Sequence, residues 1–126
     1  MTIPKNYQTV MPYIIVEGAA DFMTFMQNVF GATEKMKMMR DEKIIMHAEV
    51  MIDGSTIMFA ESIPNYPPTP ASLFVYVDDV DAAYQKAISN GAQTIESISE
   101  KDYGRACGVK DSFGNTWWIT SPANFT

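Results

Sequence analysis

The chain nearly repeats itself at a constant offset. Gly31-Ala32 returns as Gly91-Ala92, and Gly54 returns as Gly114, so the same spacing separates both pairs. Each Gly-Ala pair follows a helix-like run, and each of those runs follows a short apolar stretch. An internal repeat of this length indicates two copies of one supersecondary unit. We expect two such units to meet face to face and create a cleft, which is a natural place for a ligand.

The first copy has the pattern of a strand, a helix and three further strands. Residues 9–16 are apolar and predict a strand, although Pro12 indicates a sheet edge or a strand start. Residues 18–30 carry apolar side chains at helical spacing, and Gly31 is a natural C-cap. Asp53-Gly54 is a hairpin signal. The three remaining strands are predicted over residues 33–41, 43–53 and 55–61.

The second copy follows a connector that contains four prolines and is therefore stiff. Its helix is predicted over residues 79–90, with Asp78 or Asp79 as the N-cap. Its strands are predicted over residues 72–78, 94–101, 105–111 and 116–120. The chain is thus predicted to be a single α+β domain, residues 1–126, with module one at about 8–61, the connector at 62–71 and module two at about 72–121.

The composition limits the partners and the compartment. The formal net charge is -6, from 15 acidic and 9 basic residues, which disfavours nucleic acid and anionic membranes and weakly favours a cationic ligand. No apolar run reaches the length of a membrane span. The one cysteine, Cys107, excludes an intramolecular disulfide and indicates a reducing compartment, so we predict a cytoplasmic protein.

Five short segments, taken in their order and spacing, carry a family resemblance. They are Pro12-Tyr13, residues 30–34 (FGATE), residues 46–49 (MHAE), residues 76–81 (YVDDVD) and the turn at residues 111–115 (DSFGN). Over residues 8–121 the chain resembles the vicinal oxygen chelate superfamily, which includes glyoxalase I, bleomycin resistance proteins and extradiol dioxygenases. More narrowly, it is similar to the PhnB-like branch. The resemblance implies two βαβββ modules that form paired cupped mixed sheets, and a homodimer.

The resemblance also implies where a metal would be held. The metal-dependent enzymes of the superfamily place ligands on the first, fourth, fifth and eighth strands. Those positions correspond here to Met11, Met58, Ser72 and Trp118. A divalent metal needs nitrogen or oxygen donors, and three or more for firm binding. We therefore expect no metal at the family position.

Strand alternation predicts which side chains line the concave side. Ile44, Met46 and Ala48 are expected to pack under the helix, whereas Ile45, His47 and Glu49 face the opposite side. The predicted ligand-binding residues are Met11, Tyr13, Met58, Ser72, Phe74, Tyr76, Arg105, Cys107 and Trp118; the repeat offset is what places Arg105 and Cys107 among them. Apolar walls with sparse polar groups are typical of a small-molecule pocket.

His47 and Glu49 stand two residues apart on one strand and therefore share a face. Glu49 would charge or orient His47 as a general base, in which case both are catalytic. Alternatively, the pair would bind a divalent metal with the help of water. In the third interpretation they form a satisfied polar pair with Arg105 near them.

The sequence favours a metal-independent binding protein whose ligand is a small organic molecule, cationic or planar. The alternative is a glyoxalase-like lyase or isomerase that uses His47 and Glu49 as base or metal ligands. No cofactor is expected. If a divalent metal is bound at all, the expected place is His47 with Glu49.

Overall fold

The computed structural model describes residues 1–123. The chain divides into two compact units, Met1–Thr69 and a second that begins at Pro70, so the boundary falls within the proline-rich connector. Each unit contains one helix and one four-stranded mixed sheet. The predicted α+β class and the two βαβββ modules are confirmed.

Unit one contains the sheet order β1-β4-β3-β2, in which β1 runs parallel to β4 and the other pairs are antiparallel. Its elements are β1 (Tyr13–Val16), α1 (Ala19–Phe30), β2 (Thr33–Met39), β3 (Ile45–Ile52) and β4 (Ser55–Glu61). β1 begins later than predicted because Pro12 has no N–H for the ladder; only its carbonyl pairs, accepting from the Met58 N–H at 3.1 Å.

The core of unit one lies between α1 and one face of this sheet. Phe22 of α1 meets Phe59 of β4 edge to face, with ring centroids 5.3 Å apart. Met26, Val50 and Phe59 are fully buried. Because α1 covers this face, the opposite face carries Tyr13, His47 and the other residues of the candidate site.

The two ends of α1 are capped differently. Gly31 adopts φ 66° at the C-cap, as the sequence predicted. Gly18 occupies the N-cap position without a side chain, and the carboxylate of Glu61 caps the helix instead. It accepts the N–H groups of Gly18 and Ala19, each at 2.9 Å. The end of β4 therefore anchors the beginning of α1.

Unit two repeats this arrangement with the sheet order β5-β8-β7-β6. Its elements are β5 (Ser72–Tyr76), α2 (Val80–Ser89), β6 (Gln93–Lys101), β7 (Gly104–Lys110) and β8 (Thr116–Pro122). Asp79 is the N-cap of α2, and its carboxylate accepts the Ala82 N–H at 3.1 Å. Trp117 and Ile119 of β8 are buried, and α2 packs on β7 and β8.

The turn between β7 and β8 is built around the buried carboxylate of Asp111. It accepts the backbone N–H groups of Phe113 and Asn115, at 2.9 and 2.8 Å. It also accepts the side-chain N–H groups of Asn115 and Trp117, at 3.2 and 2.9 Å. The Asn115 amide oxygen then accepts the Ala71 N–H at 2.9 Å, so the turn holds the start of β5 in place.

Candidate functional site

A chain of four hydrogen-bonded side chains crosses the face of the unit-one sheet that lies opposite α1; we call it the polar chain. The Tyr13 hydroxyl lies 3.2 Å from His47 Nδ1, and His47 Nε2 lies 3.0 Å from Glu49 Oε2. The Tyr7 hydroxyl donates to Glu49 Oε1 at 2.5 Å. The rings of Tyr13 and His47 also stack, with centroids 5.5 Å apart. The two residues of the predicted pair thus act as part of a longer network.

Sheet register explains how these side chains meet. Met58 of β4 pairs with Tyr13 on one side and with Glu49 on the other. His47 pairs with Ala60 of β4, one step along the same face. Since alternate residues of a strand share a face, Tyr13, His47 and Glu49 converge.

Tyr7 is the member of the polar chain that sequence reasoning missed. It lies before β1, outside any strand or helix, so no periodicity marks it. Lys35 holds this segment: its ammonium lies 3.0 Å from the centre of the Tyr7 ring and donates to the Asn6 carbonyl at 2.7 Å. Thr56 donates to the same carbonyl at 2.5 Å.

Glu49 is 5% exposed, yet its carboxyl remains acidic. Burial is the largest influence on its pKa and acts to raise it. The hydrogen bonds from His47 and Tyr7, together with the charges of His47 and Lys35, outweigh burial, so the pKa of Glu49 is lowered. The same hydrogen bond to Glu49 raises the pKa of Tyr7.

Whenever the His47 imidazole is neutral, an ionised Glu49 fixes its tautomer. The carboxylate is an acceptor only, so it takes the proton on Nε2 and leaves the lone pair on Nδ1. That lone pair accepts the Tyr13 hydroxyl. The arrangement can therefore orient Tyr13 and accept a proton from it.

Beside Tyr13 lies a hollow of about 400 Å³, which we call the unit-one hollow. Its lining is mostly apolar and aromatic: Tyr13, Ile15, Arg40, Met46, Ala60, Glu61, Ile63 and Tyr66. Tyr13 and Tyr66 are 55% and 63% exposed, so their rings are available to a ligand. Of the predicted ligand-binding residues, Tyr13 alone lines this hollow.

Met46 and Ile45 exchange the roles that strand alternation predicted for them. The pairing of β2 with β3 slips at this point, because consecutive residues Met38 and Met39 pair with His47 and Ile45. The extra residue, Met46, forms a bulge and lines the hollow, while Ile45 is buried. The prediction that Met46 packs under the helix is wrong for this reason.

Unit two brings together four other predicted residues on the equivalent face. Trp118 Nε1 donates to the Ser72 hydroxyl at 3.0 Å, and Phe74 pairs with Trp118 in the sheet. Phe74 and Tyr76 meet edge to face with ring centroids 5.1 Å apart. Two of the four, Phe74 and Trp118, line a hollow of about 70 Å³, which we call the unit-two hollow. Its other lining residues are Glu96, Lys101, Tyr103, Ala106, Cys107 and Thr120.

Over its described residues, unit two lacks a counterpart of the polar chain. Gly108 pairs with Trp118 as Glu49 pairs with Met58. A Cβ at Gly108 would lie 2.5 Å from the Trp118 ring, so the indole covers the space that a side chain would need. Ala106 stands where His47 stands in unit one, since Ala106 pairs with Thr120 as His47 pairs with Ala60.

Arg105 and Cys107 stand on the strand face opposite to the one that carries Trp118, although Cys107 also lines the unit-two hollow. His47 corresponds to Ala106, whereas Ala60 corresponds to Thr120, so the repeat offset is a single residue shorter between β3 and β7 than between β4 and β8. This difference places Arg105 and Cys107 on the opposite face of β7 from the predicted one. The Arg105 guanidinium forms bonds of 2.9 Å with both oxygens of Asp81, on α2, and with Glu100. Cys107 pairs with the buried Ile119, and burial, with the charge of Asp81, raises its pKa to about 11.

The other predicted residues have simpler positions. Met58 lies between Tyr13 and Glu49 in the sheet, and Met11 precedes β1 and is half-buried. Thr120 has the one buried side-chain oxygen without a hydrogen-bond partner within residues 1–123, and it lines the unit-two hollow. In that same range no three His, Cys, Asp or Glu side chains come together as a metal site.

Comparison with known proteins identifies the family. The model of the Glyoxalase/Bleomycin resistance protein/Dioxygenase superfamily matches residues 8–119. The chain belongs to this superfamily. The resemblance that the sequence motifs carried is thereby confirmed.

Relatives and solved structures match this superfamily member at low identity. An uncharacterized protein of Mycobacterium bovis is 28% identical over 88% of this chain and 81% of its own length. A PhnB protein from Bacillus cereus superposes with a TM-score of 0.74 at 21% identity, covering 90% of this chain and 99% of that one. TnmS3, an antibiotic binding protein from Streptomyces, gives 0.68 at 17% identity, covering 92% and 98%.

The helices of residues 1–123 are also informative about membranes. Neither α1 nor α2 is long and apolar enough to cross a bilayer.

Proposed function

We propose that this superfamily member binds a small organic molecule in the unit-one hollow, and that binding rather than chemistry is its activity. The observation that carries the proposal is a hollow of about 400 Å³ with apolar walls and two exposed tyrosine rings. That volume suits a ligand of drug-like or metabolite size. The antibiotic-binding activity named for TnmS3 supports the same kind of function.

The hollow itself offers a reporter for this test. Met46 is the methionine among its lining residues, so protein labelled with ¹³C at the methionine methyl groups carries a probe there. We expect planar aromatic compounds to shift the Met46 signal, which a Met46→Leu variant assigns. Tyr66→Ala should weaken binding about tenfold by removing an aromatic wall.

Tyr84→Ala is the matched control, because Tyr84 lies on α2 of unit two, bonds Thr94, and is not one of the residues that line the hollow. Its affinity should equal that of the unaltered protein. If no compound of a broad aromatic panel shifts Met46 in the folded protein, the proposal fails.

The predicted ligand-binding residues that do not line the unit-one hollow remain part of a wider ligand-binding proposal. Ser72, Phe74, Tyr76 and Trp118 cluster in unit two, and Met11 and Met58 stand near Tyr13 in unit one. Cys107 also lines the unit-two hollow, and Arg105 of the same strand is held by Asp81 and Glu100; both stay in this wider proposal. Phe74→Ala tests the unit-two cluster: tryptophan fluorescence should no longer respond to a ligand that binds there.

A second candidate function, a lyase or isomerase, is favoured by the polar chain. An ionised carboxylate that orients a histidine, which in turn contacts an exposed phenol, can move a proton. We propose no cofactor for this enzyme, and within residues 1–123 a divalent metal would be held by His47 with Glu49. Incubation with Zn²⁺, Ni²⁺, Mn²⁺ or Fe²⁺ followed by elemental analysis tests the metal form.

One metal per chain, with a rise in melting temperature that His47→Ala abolishes, would support the metal form of the enzyme. No retained metal and no rise would exclude it. The metal-free form predicts deuterium incorporation into the methyl group of 2-acetylnaphthalene in D₂O, lost in His47→Ala. Absence of incorporation while the ketone shifts Met46 would leave binding as the activity.

We also propose a homodimer in the cytoplasm. Large apolar side chains on the sheet faces that α1 and α2 leave open support a second copy as their cover, among them Tyr13, Phe74 and Tyr76. Light scattering coupled to size exclusion should give twice the chain mass of 14.1 kDa. Phe74→Asp should shift the mass toward that of a single chain. If the unaltered protein already has the mass of a single chain, the dimer is contradicted.

A further inference from the structure

The two charged side chains that line the unit-one hollow differ in how far other groups of the protein already engage them. Glu61 and Arg40 both line it. The two carboxylate oxygens of Glu61 accept the N–H groups of Gly18 and Ala19, each at 2.9 Å, at the positive end of α1. Glu61 is therefore already paired with fixed donors and is a poor partner for a cationic ligand.

Arg40 makes no such hydrogen bonds through its guanidinium in the described part of the chain, although its charge is the weakest of the causes that lower the pKa of Asp41. Its backbone N–H bonds the Ile44 carbonyl at 2.8 Å, which fixes the turn after β2. The neighbouring carboxylate of Asp41 is held by the N–H groups of Lys43 and Ile44, each at 2.8 Å. Within residues 1–123 no carboxylate forms an ion pair with the Arg40 guanidinium.

The other arginine of the chain shows the contrast. Arg105 binds Asp81 through two bonds and Glu100 through a third, so its charge is already paired with two carboxylates. Arg40 instead presents a planar fork of N–H donors at the edge of an aromatic hollow. That fork matches the geometry of a carboxylate or a similar oxyanion.

We propose that the ligand of the unit-one hollow is a planar aromatic anion, with its oxyanion on Arg40 and its ring between Tyr66 and Met46. This inference rests on the proposed binding function and adds the charge of the ligand. It reverses the cationic ligand that the net charge of -6 favoured. Charges spread over the surface are screened within roughly 10 Å at ordinary salt, so the nearest cation decides.

Three probes of one shape separate charge from shape. They are 2-naphthoate, 2-naphthylmethylammonium and 2-naphthalenemethanol, titrated at pH 7.5 and followed by the Met46 methyl signal. We expect 2-naphthoate to bind about tenfold more tightly than the neutral alcohol, and the ammonium compound to bind most weakly.

Arg40→Met should bring the affinity for 2-naphthoate down to that of the alcohol, and Arg40→Lys should retain part of the preference. Lys43→Met is the matched control, because it removes an exposed cation from the same turn outside the hollow's lining. Its preference should be unchanged, which excludes a general effect of net charge.

Two different failures can be told apart. If the ammonium compound binds at least as tightly as 2-naphthoate, or if Arg40→Met leaves the preference intact, the anionic ligand is wrong while a binding hollow remains. If none of the three probes shifts Met46 and a broad aromatic panel also fails, the binding function itself is wrong.

Discussion

At the scale of single residues, Glu49 has the greatest effect on the candidate site. It is buried, it holds His47 and Tyr7, and it sets the tautomer that faces Tyr13. Sequence reasoning found His47 and Glu49 because they stand two residues apart on a strand. It could not find Tyr7, which reaches Glu49 from 42 residues away along the chain.

The lowered pKa of Glu49 predicts how stability depends on pH. Because the pKa is below the ordinary 4.5 in the folded protein, ionised Glu49 stabilises the fold above pH 4.5. That contribution is lost as the pH falls from 4.5 through the folded-state pKa. Glu49→Gln should therefore lower the free energy of unfolding by about 1–3 kcal/mol at pH 7 and by less at pH 3.

Urea denaturation at the two pH values measures this difference. Glu42→Gln, an exposed position in the turn before β3, is the control and should have little effect at either pH. A loss in Glu49→Gln that is equal at pH 7 and pH 3 would contradict the electrostatic explanation.

Cys107 should be inert in the folded protein. It is 2% exposed, and its raised pKa of about 11 leaves almost no thiolate at neutral pH. An aromatic disulfide reagent at pH 8 should react within the mixing time only after urea is added. Since Cys107 is the single cysteine, the signal is unambiguous, and rapid reaction without urea would show that the strand opens or the thiol is accessible.

At the scale of elements, small register shifts decide which side chains reach the site. The repeat offset is shorter between β3 and β7 than between β4 and β8, and this difference of a single residue turns Arg105 and Cys107 toward α2. The bulge at Met46 turns a predicted core residue into a wall of the hollow. Neither shift is visible in the apolar pattern of the sequence. A slip of one residue is nevertheless enough to turn the side chains of a strand to its other face.

The Asp111 turn should be a main support of unit two. Asp111→Ala would leave four N–H groups without their acceptor, two of them on side chains. We expect a loss of about 3 kcal/mol or more in the free energy of unfolding. Asp102→Ala, in the exposed turn before β7, should cost little in the same urea measurement; equal losses would show that the turn network is not what stabilises the unit.

Gly108 should be required for the position of Trp118. A Cβ there would lie 2.5 and 2.8 Å from two ring atoms, so Gly108→Ala must displace the indole and break its bond to Ser72. We expect a cost of about 1–3 kcal/mol and a shift in tryptophan emission. Gly54→Ala is the control, because open space surrounds that position. An unchanged spectrum in Gly108→Ala would contradict the packing.

At the scale of the whole molecule, the net charge and the internal repeat have the largest consequences for the properties of the protein. The chain carries six net negative charges at neutral pH and has an isoelectric point of about 4.6. Two copies of one unit give two sheet faces of different character opposite the helices, one polar and hydrogen-bonded, the other filled by Trp118. The superfamily assignment follows from the whole pattern and from no single residue.

The isoelectric point predicts where solubility is lowest. Near pH 4.6 the net charge vanishes and the repulsion between molecules is lost, so light scattering should pass through a maximum there. Glu49→Gln changes the stability but should leave this maximum nearly in place, because it removes one of the 15 acidic side chains. Constant scattering between pH 4 and pH 7 would contradict the prediction.

The sequence by itself determined the repeat, the order of strands and helices, the superfamily and the facing pair His47 and Glu49. Those features depend on local periodicity and on turn residues, which the chain records directly. Only the tertiary structure decided the partners of that pair, the capping of α1 by Glu61, and the hollow with Arg40 at its edge. These depend on sheet register and on contacts between distant segments, because backbone pairing fixes which side chains can meet.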